Sequence, residues 1–266
     1  PAIGVAYDGT GYGPDGTAWG GEVLLARPDG FERLATFRPL RLAGGEKAIH
    51  EVWRLALALL DDAYDGRPPL DRFALFQGLP ARELDDVRSV LARPALSPSA
   101  HGVGRYFDAF GALFLGRRRS HHEGQVAAEW NLAATPSDRA PLPFVLDGTA
   151  APWNIDLRPG VRAAVDALAR GLSPAVISAR FHNTLAAATA AVARAAAAGQ
   201  GRLPVVLSGG CFQNALLAER TREELARDFV VHLHEQVPPG DGGIALGQVV
   251  VADALTRGLE GALPCA

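Results

Sequence analysis

PVVLSGGCFQNALLAERTREELARDFVVHLHEQVPPGDGGIALGQVVVADAL, residues 204–255, carries the same pattern twice. Pro204–Leu207 is a short apolar, β-branched run that reads as a strand; Ser208-Gly209-Gly210 is a tight turn, and Asn214–Arg227 is an amphipathic helix. Phe229–Leu233 is a second strand, Pro238–Gly243 a second glycine turn, and Ile244–Leu255 a second helix. Strands alternating with helices imply a parallel α/β arrangement with ligands near the carboxyl ends of the strands.

Upstream, residues 1–7 (PAIGVAY) run apolar into a Gly-, Thr- and Asp-rich segment before Glu22 opens another apolar run, which reads as strand, long turn, strand. Across Gly45–Tyr64, Ala48, Ile49, Val52, Leu55, Ala56, Leu59 and Leu60 recur at three- and four-residue steps, predicting one amphipathic helix. Pro68-Pro69 breaks the chain, and Ala81–Ala92 is helical again. Gly104–Gly116 reads as a buried helix with one acid, Asp108. The proline-studded stretch 135–160 predicts a long surface loop within one domain over 1–266. Helices resume at Arg162–Gly171 and Pro174–Gly199, the latter favoured by alanine even where packing is thin.

Twenty-six basic and 29 acidic residues leave a net charge of −3, without the basic field that sequence-independent nucleic-acid binding needs. No apolar run approaches the roughly 18–20 residues of a membrane span, so neither nucleic acid nor membrane is an expected partner. Cys211 and Cys265 are too few for a disulfide framework and form no C-x-x-C pair, which suits the cytoplasm. The chain opens Pro1-Ala2-Ile3 and holds no methionine, so it is expected to be a piece or processed product of a longer protein.

Three glycine turns follow strands: Asp8–Gly13, Ser208–Gly210 and Gly240–Gly243. Glycine lets backbone N–H groups approach a ligand, and a following helix adds unpaired donors, so together they suit an anionic ligand such as a nucleotide phosphate. Gly9-x-Gly11-x-Gly13 is not the dinucleotide fingerprint, and no G-x-x-x-x-G-K-[ST] occurs. Asp8 and Asp241 either meet a bound cation in one cleft or simply make turn hydrogen bonds. His232-x-His234 either chelates from one strand face or is an exposed polar pair. His121-His122 reads as a solvated basic turn, with Glu123 held by Arg117–Arg119. His182 reads as a core or interhelical hydrogen-bonding residue. Cys211 either gains a thiolate from a helix start or packs as a small residue, and no neighbouring histidine activates it. Ser208 lacks the G-x-S-x-G elbow of a hydrolase.

Taken in order, DGTGYGPDGTAWGGE (8–22), GGEKAIHEVWR (44–54), GRYFDAFGAL (104–113), EGQVAAE (123–129), FHNTLA (181–186), VVLSGGCFQN (205–214) and PPGDGGIALGQ (238–248) resemble the C-terminal, Kae1-like domain of HypF-type hydrogenase-maturation carbamoyltransferases. The resemblance implies an α/β fold of the actin/Hsp70/sugar-kinase type (Kae1-like, ribonuclease H-like), here without part of its N-terminal lobe. It implies that carbamoyl-adenylate, made from carbamoyl phosphate and ATP, gives its carbamoyl group to the C-terminal cysteine of a HypE-type partner. Dehydration there makes the cyanide ligand of nickel–iron hydrogenase. Carried over by position, Asp8 and Asp241 are metal ligands for Fe or Zn, with Mg accompanying ATP. Gly9, Thr10, Gly11, Gly209 and Gly210 are phosphate-turn residues, Asn214 lies near the nucleotide, and Asp108, Glu123 and Gly124 contact ribose or adenine. The family's H-x-x-x-H metal motif does not occur here before the Asp-Gly-Thr hairpin, and His121-His122 stands where Ser-Tyr is more usual. Two other readings stay open: an O-carbamoyltransferase for small molecules, and a catalytically incomplete docking scaffold.

Overall fold

A computed structural model describes residues 1–262 of the chain, so Cys265 lies outside the described residues. Strands β1 (Ala2–Tyr12), β2 (Ala18–Arg27), β3 (Gly30–Phe37) and β4 (Leu40–Arg41) lead into helices α1 (Lys47–His50), α2 (Trp53–Ala63) and α3 (Ala81–Leu91). Then come β5 (Ser99–Ala100), α4 (Val103–Leu115), α5 (Gln125–Leu132), β6 (Val145–Asp147), β7 (Trp153–Asp156), α6 (Arg158–Ala169) and α7 (Pro174–Gln200). The chain closes with β8 (Val205–Ser208), α8 (Ala215–Leu225), β9 (Val231–His232) and α9 (Ile244–Ala262).

β1 is the axis of the sheet. Its period-two alternation buries Ile3, Val5 and Tyr7 completely on one face. It pairs antiparallel with β2 and parallel with β8, giving the order β6-β7-β3-β2-β1-β8-β9. The expected parallel arrangement therefore covers β1, β8 and β9, whereas β1, β2 and β3 form an antiparallel meander. Short turns make that meander: β1 continues to Tyr12 and β2 begins at Ala18, so the predicted long turn shrinks to a hairpin loop.

α7 is packed along most of its length rather than thinly. Ser173 caps it, Pro174 takes the first-turn position that tolerates proline, and its small residues Ala179, Ala186, Ala188, Ala190, Ala193 and Ala196 are buried. The Tyr7 hydroxyl and Thr189 Oγ1 lie 2.7 Å apart, tying the helix to β1.

Two expectations change. The helix predicted over Gly45–Tyr64 breaks at Glu51, whose ψ of 68° leaves the helical region. There its carboxylate gathers Arg54 Nε at 2.7 Å and Arg119 Nη2 at 3.1 Å, while Trp53 N turns to the Arg118 carbonyl. The stretch 135–160 is not a surface loop throughout, because β7 extends the sheet parallel to β3 and buries Ile155. Its prolines flank the two short strands instead of interrupting them, since a proline inside β7, paired on both sides, would remove a ladder hydrogen bond. Asn183 Nδ2 donates to the carbonyls of Asp138 and Ala140, and Leu142 N donates to Thr184 Oγ1, strapping the segment to α7.

Candidate nucleotide site

Parallel pairing of β1 with β8 sets Ala6 opposite Ser208, so both chains leave the sheet at one end. There β1 loses register with β2 between Tyr7 and Gly11, and Asp8, Gly9 and Thr10 bow out as a bulge. Gly9 N donates to Asp8 Oδ1 at 2.7 Å and Gly210 N donates to Asp8 Oδ2 at 3.0 Å, so one carboxylate ties two glycine turns together. Glycines make this closeness sterically feasible. A Cβ on Gly20 would lie 2.8 Å from the Asp8 carbonyl oxygen, one on Gly104 2.8 Å from Gly9 Cα, and one on Gly102 would run into the Gly9 carbonyl. The third turn is locked to the second by Gly209 N donating to Pro239 O at 2.8 Å.

Around these turns lies a cavity of about 720 Å³, in the range of small-molecule and cofactor sites. Of the residues expected at the site, Asp8, Gly9, Asp108, Glu123, Gly124, Gly210, Asn214 and Asp241 line it. Thr10, Gly11 and Gly209 are not in its wall. Thr10 is the exposed last residue of the bulge and Gly11 has rejoined the ladder opposite Trp19. Gly209 has a φ of 97°, and a Cβ there would strike the Tyr7 backbone, so it lets β8 close on β1.

Arg105 and Asn131, which the sequence did not single out, also line the cavity, as does His122, expected only in a solvated basic turn. Arg105 had one signal: it stands three residues before Asp108 on an otherwise apolar helix, hence on the same face. The two side chains are each 3% exposed and meet at 3.1 Å, Nη1 to Oδ2. Burial pushes the Asp108 carboxyl up to about 6 although the Arg105 guanidinium opposes the shift. Glu123 is not held by Arg117–Arg119, which turn to Glu129, the carbonyls of Leu75 and Gln77, and Glu51. Its nearest described cation is Arg105, at 3.8 Å.

His182 proves to be a buried hydrogen-bonding residue. Its Nδ1 is 2.7 Å from the Ser178 carbonyl, which can only accept, so Nδ1 carries the proton and Nε2 accepts from Asn214 Nδ2 at 2.8 Å. Asn214 Oδ1 in turn accepts from Leu217 N at 3.0 Å and caps α8. Burial lowers the His182 pKa to about 4, keeping the ring neutral at pH 7.

Cys211 lies in the short turn Gly210–Gln213, not at the start of α8. Burial and the nearby Asp8 carboxylate raise its thiol above the ordinary range, so the dipole-stabilised thiolate is not what this position makes. His232 is exposed, His234 Nε2 sits 3.1 Å from Ser208 Oγ, and neither lines the cavity.

Among the described residues no group of three or more His, Cys, Asp and Glu is placed to hold a metal ion. Both oxygens of Asp8 already accept backbone hydrogen bonds. Iron or zinc calls for a fuller set rich in nitrogen or sulfur, which Asp8 and Asp241 do not supply by themselves. Magnesium, held by one or two carboxylates plus phosphate oxygens and water, suits their donor chemistry.

Residues 4–248 match the family described as "Carbamoyltransferase, Kae1-like Domain, second subdomain". The chain belongs to the HypF carbamoyltransferase family. It is 37% identical to Carbamoyltransferase HypF2 of Cupriavidus necator over 95% of this chain and 34% of that protein. It is 40% identical to Carbamoyltransferase HypF of Rhodobacter capsulatus over 94% of this chain and 32% of that protein. A crystal structure of full-length HypF in a phosphate- and nucleotide-bound form superposes with a TM-score of 0.87 at 34% identity, covering 96% of this chain and 39% of that one. The chain thus spans about a third of the length of these HypF relatives, and its mixed sheet with packed helices is the Kae1-like α/β fold. No helix among the described residues is long and apolar enough to cross a membrane.

Proposed function

We propose that this chain forms the nucleotide-holding part of a carbamoyltransferase that passes the carbamoyl group of carbamoyl-adenylate to the C-terminal cysteine of a HypE-type protein, in the cytoplasm, during nickel–iron hydrogenase maturation. The observation that carries the reading is the cavity at the ends of β1 and β8, where three glycine turns and Asp8, Asp108, Asn214 and Asp241 converge in a HypF-family chain. Backbone N–H groups and a cation at Asp8 and Asp241 would face the anionic leaving group, the arrangement that group transfer from a mixed anhydride needs. In the transfer, the acceptor sulfur bonds to the carbamoyl carbon, the bond from that carbon to the phosphate oxygen breaks, and AMP departs. The thiol proton passes to solvent or a base.

The test is product analysis by mass spectrometry with the protein in its full-length context, supplied with carbamoyl phosphate, ATP and either a HypE-type acceptor or small hydroxyl compounds. The expected result is a 43 Da carbamoyl gain, about the mass of HNCO, on the acceptor cysteine, lost in Asp8→Ala and Asp241→Ala. Transfer only to small hydroxyl compounds, or undiminished transfer in both variants, would overturn the assignment.

A further inference from the structure

We propose that Arg105 is the anion anchor of the cavity, binding the phosphate of the adenylate and thereby setting which way round the ligand lies. The assignment rests on the nucleotide reading above and goes beyond it by naming the residue and the ligand's orientation.

A guanidinium on a core helix is costly, because desolvation takes several kcal/mol unless its donors are satisfied. Arg105 is 2% exposed; its Nε has no hydrogen-bond partner among the described residues, while Nη1 is ion-paired with Asp108 Oδ2 without hydrogen-bond alignment. The Asp108 carboxylate offsets its charge at 3.1 Å without saturating the fork. The guanidinium reaches the β1 bulge: a Cβ on Gly9 would stand 2.6 Å from Nη2, so a larger residue at position 9 would push it away.

Charge points the same way. Among the described residues lining the cavity, Arg105 is the one arginine or lysine, while Asp8, Asp108, Glu123 and Asp241 are acids. An anion is repelled elsewhere on this wall unless a cation accompanies it, and is favoured at the Arg105 guanidinium, whose Nη2 stands beside Gly9 with the exposed Glu123 carboxylate 3.8 Å away. A phosphate on Arg105 beside Gly9 leaves the nucleoside to extend toward Glu123, Gly124 and Asn131. Asp108 holds the fork from its own place on the cavity wall.

Titration calorimetry of the 266-residue chain with AMP, adenosine and inorganic phosphate, for wild type, Arg105→Ala and Arg105→Lys, tests this. Wild type is expected to bind AMP more tightly than adenosine. Arg105→Ala is expected to weaken AMP about ten- to hundredfold, to the level of adenosine, while leaving adenosine within about twofold. Arg105→Lys, which keeps charge but loses the fork, should fall between. Because Arg105→Ala strands a buried carboxylate, the double variant Arg105→Gln/Asp108→Asn serves as the folded neutral pair, checked by circular dichroism. Unchanged AMP affinity in these variants, or equal loss of AMP and adenosine, overturns the anchor and leaves the nucleotide reading standing. Arg105-dependent phosphate binding without AMP or adenosine binding overturns the nucleotide reading alone. A wild type that binds none of the three overturns both.

Discussion

His182 Nε2 accepts a hydrogen bond from Asn214 Nδ2 at 2.8 Å, so a fully buried ring on α7 fixes the side chain that caps α8 and lines the cavity. Because Nδ1 is committed to the Ser178 carbonyl, the ring has one tautomer and one orientation here.

His182→Phe keeps an aromatic ring against Phe107, whose centroid is 5.1 Å away, but removes the acceptor. It should cost about 0.5–1.5 kcal/mol of folding stability through the lost hydrogen bond from the half-buried Asn214 amide. Asn214→Ala should cost about 1 kcal/mol as a lost cap. In a double-mutant cycle followed by urea unfolding the two should be non-additive; additivity would mean the pair does not act together.

The pH dependence has two opposed parts. His182 titrates near 4 in the fold, below its usual 6.5, so acidification from 6.5 to 4 protonates the unfolded chain first and lowers stability, by about 3 kcal/mol in full. Asp108 titrates near 6, above its usual 3.8, so the native state takes up that proton first and gains stability as pH falls from 6 to 3.8. Relative to wild type, His182→Phe should therefore lose less stability on acidification from pH 6.5 to 4.5, and Asp108→Asn should lose more. Melting temperatures across that interval check both signs, and parallel curves for all three proteins would refute them.

Gly102→Ala places a methyl group against the Gly9 carbonyl, backbone that no rotamer change can move. The expected loss is about 3 kcal/mol, together with weaker AMP binding, since the bulge carrying Asp8 must shift. Gly30→Ala meets no atom within 4 Å and serves as the comparison on the same sheet.

Cys211 should alkylate slowly. With its thiol raised by burial and by the Asp8 carboxylate, little thiolate exists at pH 7.5. Iodoacetamide labelling read on the Cys211 peptide should run at least about tenfold slower than for an exposed cysteine in a peptide of the same composition. Equal rates would contradict a raised thiol on the half-buried cavity wall.

Much of this was legible in residues 204–243, because the β-branched runs and glycine turns there specify strand-turn units locally. Asp108 is conspicuous in sequence as an acid on an apolar helix, whereas the role of Arg105 depends on how α4 packs against the β1 bulge. The break at Glu51 depends on Arg119, 68 residues away, and β7 exists through pairing with β3. Neither long-range contact leaves a local periodicity. Thr10 and Gly11 belong to the same glycine-rich turn as Gly9 in sequence, but Thr10 ends the bulge facing solvent and Gly11 is back in the ladder, so neither reaches the cavity.

An adenine nucleotide seated in the cavity between the β1 bulge and α5 would be captured there by photolabelling with 8-azido-AMP. Label is expected on peptides spanning 122–131 or 210–214, suppressed by excess unlabelled AMP. Specific labelling confined to the surface remote from these peptides, with none in either, would contradict it.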